Sequence, residues 1–257
     1  MDTPVRLTVL ISGNGSNLQA VIDKTIAGQL HLNIVRVISN RKDAFGLERA
    51  RRANIPTQYH NLVKYKKQHP ATPEGIQAAR EKYDAELARL ILADNPEMVA
   101  CLGFMHVLSP KFLEPLEKGG INIINLHPAL PGAFNGTVCF SLLFPFSFFY
   151  DIPNTLIIFV DDMANSKSLQ HAIDRAHAAW LEGKIDKTGV MIHKVISEVD
   201  MGTPLLVREI PFIKGEDENL EKFEEKVHAT EWGIVIEGVQ LAINEVQEQR
   251  KRGSTDA

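Results

Sequence analysis

The sequence predicts an α/β protein, a single domain built on a mostly parallel sheet with helices on both faces. Three observations lead there. Short runs rich in Val, Ile and Leu alternate with helical patterns from residue 7 to about 135. Those runs are continuously apolar, as strands buried on both faces are. A glycine-rich turn, Ser12–Asn17, joins the first run directly to the first helical pattern. The 257 residues, 44% hydrophobic and 23% charged, exclude collagen, coiled coil and wholesale disorder.

Leu7–Ser12 and Leu32–Asn40 read as buried strands, and between them Asn17–Gly28 reads as a helix ended by its glycine. A second helix is expected over about Ala44–Ala53. A third runs from Pro73 to Asp94, stopped by Asn95-Pro96, with an apolar stripe of Ile76, Ala79, Tyr83, Leu87 and Leu90. Met98–Gly103 and Ile121–Leu126 are two more strands. His171–Glu182 reads as a helix closed by Gly183. Gly189–Ile196 and Pro204–Ile210 alternate apolar and polar residues and predict an antiparallel extension of the sheet. A long helix from about Asp217 to Gln249, striped by Phe223, Val227, Ile234, Gly238 and Leu241, leaves a polar tail expected to fray.

The charge of −4 gives no general attraction to nucleic acid or to an anionic membrane. Two cysteines, Cys101 and Cys139, make neither a disulfide framework nor a metal cluster. The N-terminus lacks the pattern of a signal peptide, so a cytoplasmic protein is expected. Val138–Tyr150, with Pro145 inside it, is shorter than the roughly 20 residues that span a bilayer.

Two segments carry chemistry. Ser12-Gly13-Asn14-Gly15-Ser16-Asn17 lies beyond the carboxyl end of a strand, where open α/β sheets bind ligands, and its N–H groups suit a phosphate. A plain strand-to-helix turn is the competing reading. Leu18 at the third glycine position and Asn40 at the second strand end depart from a dinucleotide fingerprint, so a small phosphate ester fits better. In Asn125-Leu126-His127-Pro128, strand alternation puts Asn125 and His127 on one side. An amide that donates to an oxyanion beside an imidazole that moves protons suits acyl transfer to an external amine. A capped strand end before a Pro-rich turn fits the same residues.

Val9–Ala20 (VLISGNGSNLQA), Lys42–Arg49 (KDAFGLER), Gly103-Phe104-Met105 and Asn125–Pro131 (NLHPALP) together closely resemble the phosphoribosylglycinamide formyltransferase family. The resemblance spans nearly the whole chain except residues 137–170. It implies a Rossmann-like formyltransferase domain, with 10-formyltetrahydrofolate as co-substrate, glycinamide ribonucleotide as formyl acceptor, a place in purine (IMP) synthesis, and no metal. Neither nucleic acid nor membrane is an expected partner.

By the same resemblance Asn125, His127 and Asp200 are the catalytic groups, with Asp200 expected to raise the pKa of His127. Gly15, Ser16 and Asn17 fall where the family grips the substrate phosphate, and Glu231 matches its ribonucleotide-holding carboxylate. Glu231 also interrupts the apolar stripe of the last helix, which is costly unless it finds a partner; snorkelling at a helix edge is the alternative. Met105, His106, Val107, Leu108 and Asn125 are implied to line the folate site. His106 stands where bacterial relatives often carry Arg. Arg80 matches a folate-contacting arginine, against the alternative of a solvated helical charge. His193 is expected to support the catalytic groups from behind.

Other formyl-transfer enzymes resemble this domain too. A tRNA-directed relative would carry a basic C-terminal module, whereas Lys214–Gln249 holds ten acidic and three basic residues. A hydrolase relative would carry an N-terminal regulatory module, which is not expected here. Seven of the 18 aromatic residues fall between Phe140 and Phe159. That lump marks Thr137–Gln170 as an atypical insertion in the loop after His127, either a translated intron or a lid, an interface patch or disordered surface. A further alternative follows from it: a non-catalytic phosphate-ligand-binding homologue whose folate site the insertion disrupts.

Overall fold

The computed structural model describes residues 3–134, 168–196, 200 and 202–255. Seven strands form one sheet in the order β3-β2-β1-β4-β5-β6-β7. They are β1 (Val5–Ile11), β2 (Leu32–Ser39), β3 (Thr57–Tyr59), β4 (Met98–Cys101), β5 (Asn122–His127), β6 (Lys187–Lys194) and β7 (Pro204–Pro211). The first five are parallel, while β6 runs antiparallel to β5 and β7 antiparallel to β6, as the alternating pattern after residue 187 predicts. The helices are α1 (Ser16–Ile26), α2 (Phe45–Arg52), α3 (Val63–Lys66), α4 (Pro73–Leu92), α5 (Pro110–Lys118), α6 (Ser168–Leu181) and α7 (Leu220–Thr255).

Strand alternation sorts the core into two layers. Leu7, Val9 and Ile11 of β1 face a cluster built with α1, α2 and α7, through Leu18, Val21, Leu47, Phe223, Val235 and Val239. Leu10 faces the other way, into a cluster with Tyr83, Leu87 and Ile91 of α4 and Phe112 and Leu116 of α5. Burial on both faces is why these strands read as unbroken apolar runs.

Several boundaries differ from expectation. The short β3, α3 and α5 are not evident from periodicity: β3 has three residues, α3 four, and α5 carries Pro115 in its interior. On α4 the buried stripe continues through Ile91, with Leu90 half-buried. On α7 it continues through Val239, Ala242, Ile243 and Val246, and Leu241 stays 39% exposed. The C-terminal tail is helical to Thr255 instead of frayed, because Arg250 pairs with Glu97 beside β4. The expected insertion lies outside the described residues as far as 167, and Ser168–Gln170 already belong to α6. The described chain on either side is tied together: Arg175 Nη2 of α6 donates to the Phe134 carbonyl at 2.7 Å.

Candidate active site

The order in which strands are added to the sheet reverses between the parallel neighbours β1 and β4, the switch point at which open α/β folds form a crevice. The loops after β1, β4 and β5 meet there. Ser12 stitches the first two: its N–H donates to the Gly103 carbonyl at 2.9 Å, and its Oγ accepts from Met105 N–H at 2.7 Å.

The glycine loop ends in Gly15, whose φ of 75° is left-handed and caps α1. A side chain there would meet the Gly46 Cα at 2.6 Å, so two glycines allow the loop to lie on the start of α2. Arg49 locks it from outside, donating from Nε to the Asn14 carbonyl at 2.9 Å and from Nη2 to Asn14 Oδ1 at 2.8 Å. Asn17 is buried in the first turn of α1. Its Nδ2 donates to Glu231 Oε2 at 3.1 Å, and its Oδ1 has no partner among the described residues.

Glu231 is 3% exposed, which removes the snorkelling alternative. His228, one turn earlier on α7, stands 3.2 Å from the same carboxylate oxygen, and that hydrogen bond raises the His228 pKa. The carboxylate thus has two polar partners at the mouth of the glycine loop. His228 is a partner of Glu231 that the sequence motifs do not single out; its spacing of three from Glu231 is the signal that could have found it.

Asn125, His127 and Asp200 converge at the end of β5. Asn125 Nδ2 lies 3.5 Å from Asp200 Oδ1, and His127 Nδ1 lies 3.6 Å from Asp200 Oδ2. Asp200 adopts the left-handed region (φ 55°) in the turn from β6 to β7. Two residues on, a side chain at Gly202 would overlap the Lys194 carbonyl, so glycine lets that turn fold against β6. His193, the register partner of Asn125, stands behind both residues. Its Nδ1–H donates to the Lys194 carbonyl at 2.9 Å, which leaves Nε2 to accept from Asn125 Nδ2 at 3.1 Å.

One electrostatic expectation holds only in part. The His127 pKa is lowered, because burial outweighs the Asp200 carboxylate that pulls it up, and His193 adds to the lowering. At neutral pH this imidazole is uncharged, and its buried Nε2 has no hydrogen-bond partner among the described residues. Cys101 is buried in β4 and burial pushes its thiol up to about 12, so it is no nucleophile at neutral pH.

Met105–Leu108 follows β4 along the opposite wall. Asn40 Nδ2 donates to the Met105 carbonyl at 3.3 Å, and Arg80 Nη2 donates to the Val107 carbonyl at 3.4 Å. Arg80 is therefore tied to this loop, in place of a wholly solvated helical charge. His106 turns inward to Asp84, with its side chain 6% exposed. Among the described residues no group of three or more His, Cys, Asp or Glu could hold a metal, and no helix is long and apolar enough to cross a membrane.

The formyl transferase family profile matches residues 5–142. The chain is 44% identical over 241 residues to phosphoribosylglycinamide formyltransferase of Schizosaccharomyces pombe, covering 93% of this chain and 97% of that protein. The protein of the same name in Saccharomyces cerevisiae is 37% identical over 94% of this chain and 98% of its own length. A solved glycinamide ribonucleotide transformylase 1 from Symbiobacterium toebii superposes with a TM-score of 0.67 at 26% identity, over 94% of this chain and 88% of that one. The broad class is that of the formyl transferases. Within it, the chain belongs to the phosphoribosylglycinamide formyltransferase family.

Proposed function

We infer that the chain transfers a formyl group from 10-formyltetrahydrofolate to the amine of glycinamide ribonucleotide, a step of purine synthesis, with Asn125, His127 and Asp200 as its catalytic groups. The observation that carries this reading is the convergence of those three side chains within 3.6 Å at the end of β5. The unpartnered His127 Nε2 beside them is what a proton-transferring group needs before substrate arrives.

The neutral amine attacks the formyl carbon and the carbonyl electrons move to oxygen. Asn125 Nδ2 donates to that oxygen in exchange for its long 3.5 Å bond to Asp200, while His193 keeps the amide oriented. The uncharged His127 takes the proton released by the attacking amine. The resulting imidazolium is then stabilised by Asp200, so the charge pair forms when it is needed. The bond from the formyl carbon to N10 breaks, and N10 takes up one proton. The net change is one C–N bond formed, one broken, and one proton moved from amine to N10.

In this reading Gly15, Ser16 and Asn17 hold the phosphate, Glu231 holds the ribonucleotide, and Arg80 with Met105–Leu108 and Asn125 receives the folate. The N–H groups at the start of α1, which follow the left-handed Gly15 and are capped by no side chain, support the first assignment. The chain works as one formyltransferase domain in the cytoplasm, with an insertion between β5 and α6. The relatives named above all carry the name of an enzyme, which gives no support to a binding-only homologue.

The test is a direct assay of the full 257-residue chain with both substrates. Formylation of glycinamide ribonucleotide that depends on 10-formyltetrahydrofolate is the expected result. Binding of the ribonucleotide without transfer would overturn the reading.

A further inference from the structure

We propose that Asp84 is a positioning residue for the folate co-substrate, acting through His106 and Ser109 to fix the backbone of Met105–Leu108. The proposal rests on the reading above, that this segment receives the folate. Asp84 is fully buried on α4, between Tyr83 and Leu87 of the apolar stripe. A carboxylate there is costly unless both oxygens find donors. Both do, and both donors lie outside α4. His106 Nε2 stands 2.6 Å from Oδ1, and the Ser109 N–H donates to Oδ2 at 2.8 Å.

These two bonds bracket Val107 and Leu108. Arg80, one turn earlier on the same helix, reaches the Val107 carbonyl between them. The segment lies beyond Cys101, the last residue of β4, so no strand pairing holds it. Side chains place its peptide groups instead: Asp84 and Arg80 from α4, Ser12 and Asn40 from the loops after β1 and β2. Asp84 grips it at two places, His106 and the adjoining Ser109. A ring system read by backbone N–H and carbonyl groups needs those groups fixed before it binds, and loosening them costs affinity for that ligand alone. The His106 side chain packs edge-on against Tyr83, with ring centroids 4.8 Å apart, and contributes by pinning its own backbone.

Steady-state kinetics with each substrate varied in turn tests this. Asp84→Asn turns one acceptor oxygen into a donor and removes the carboxylate charge that strengthens both bonds. It should raise KM for 10-formyltetrahydrofolate about tenfold, with kcat and KM for glycinamide ribonucleotide within about twofold of the parent. His106→Leu should do the same, and His106→Gln, which keeps a donor at similar reach, should recover most of the loss. The His106 pair decides the matter if Asp84→Asn does not fold. A rise shared equally by both KM values, a fall in kcat alone, or a His106→Leu protein equal to the parent would overturn the proposal while leaving the folate reading intact. An inactive parent chain would instead overturn that reading, and the proposal with it.

Discussion

Asn17 Nδ2 donates to Glu231 Oε2 across 3.1 Å, joining the first turn of α1 to α7 over a separation of 214 positions. This bond fixes one wall of the glycine loop to a helix that crosses most of the sheet. Removing the carboxylate strands a buried amide donor, which costs about 1–3 kcal/mol. Glu231→Ala should therefore unfold at lower denaturant and show a KM for glycinamide ribonucleotide raised about tenfold, with KM for the folate little changed. Kinetics and urea unfolding of one preparation check both halves.

Gly15 should tolerate no side chain. Its left-handed φ and the 2.6 Å approach of a Cβ to the Gly46 backbone act together. Gly15→Ala is expected to lose about 2 kcal/mol of stability, and to weaken binding of the ribonucleotide through the displaced loop. Equilibrium unfolding and a calorimetric titration with glycinamide ribonucleotide measure the two effects.

His127 should titrate below 6.5, the ordinary histidine value, because burial dominates over Asp200. Asp200→Asn removes the group that raises it, so the pKa should fall further. The stability sign follows: the folded ring stays neutral while the unfolded one takes up a proton near 6.5, so His127 lowers stability as pH falls below that value. NMR titration of isotopically labelled histidines, assigned with His127→Ala, reads the pKa directly. A value above 6.5 in the parent contradicts the burial argument.

The Arg175 bond to the Phe134 carbonyl places the described chain on the two sides of the expected insertion next to each other. Deleting Thr137–Lys167 spares α6, which begins at Ser168. The shortened protein is expected to fold and to transfer formyl with a kcat at least equal to that of the full chain. Loss of transfer in a folded deletion variant would show that the insertion contributes to the site.

Most of the sheet was legible because its strands are buried on both faces, and Leu7–Ile11 or Met98–Cys101 can hardly be read otherwise. Asn125 and His127 were legible as a pair from the two-residue period of β5 alone. Asp200 was not: it sits in a turn, and only its fold against β6 brings it to His127, so the resemblance had to supply it. Asp84 was overlooked although it carries the same signal as Glu231, a carboxylate within an apolar helix stripe. The sign of the His127 shift was misread for a physical reason. Sequence supplies the neighbouring charge but not the depth of burial that opposes it.

The central claim is that Asn125, His127 and Asp200 perform the transfer, and steady-state kinetics of Asn125→Ala, His127→Ala and Asp200→Asn test it most directly. Each substitution should lower kcat by about 10²–10⁴ while both KM values stay within about threefold of the parent. A folded His127→Ala protein with a kcat near that of the parent would contradict the account.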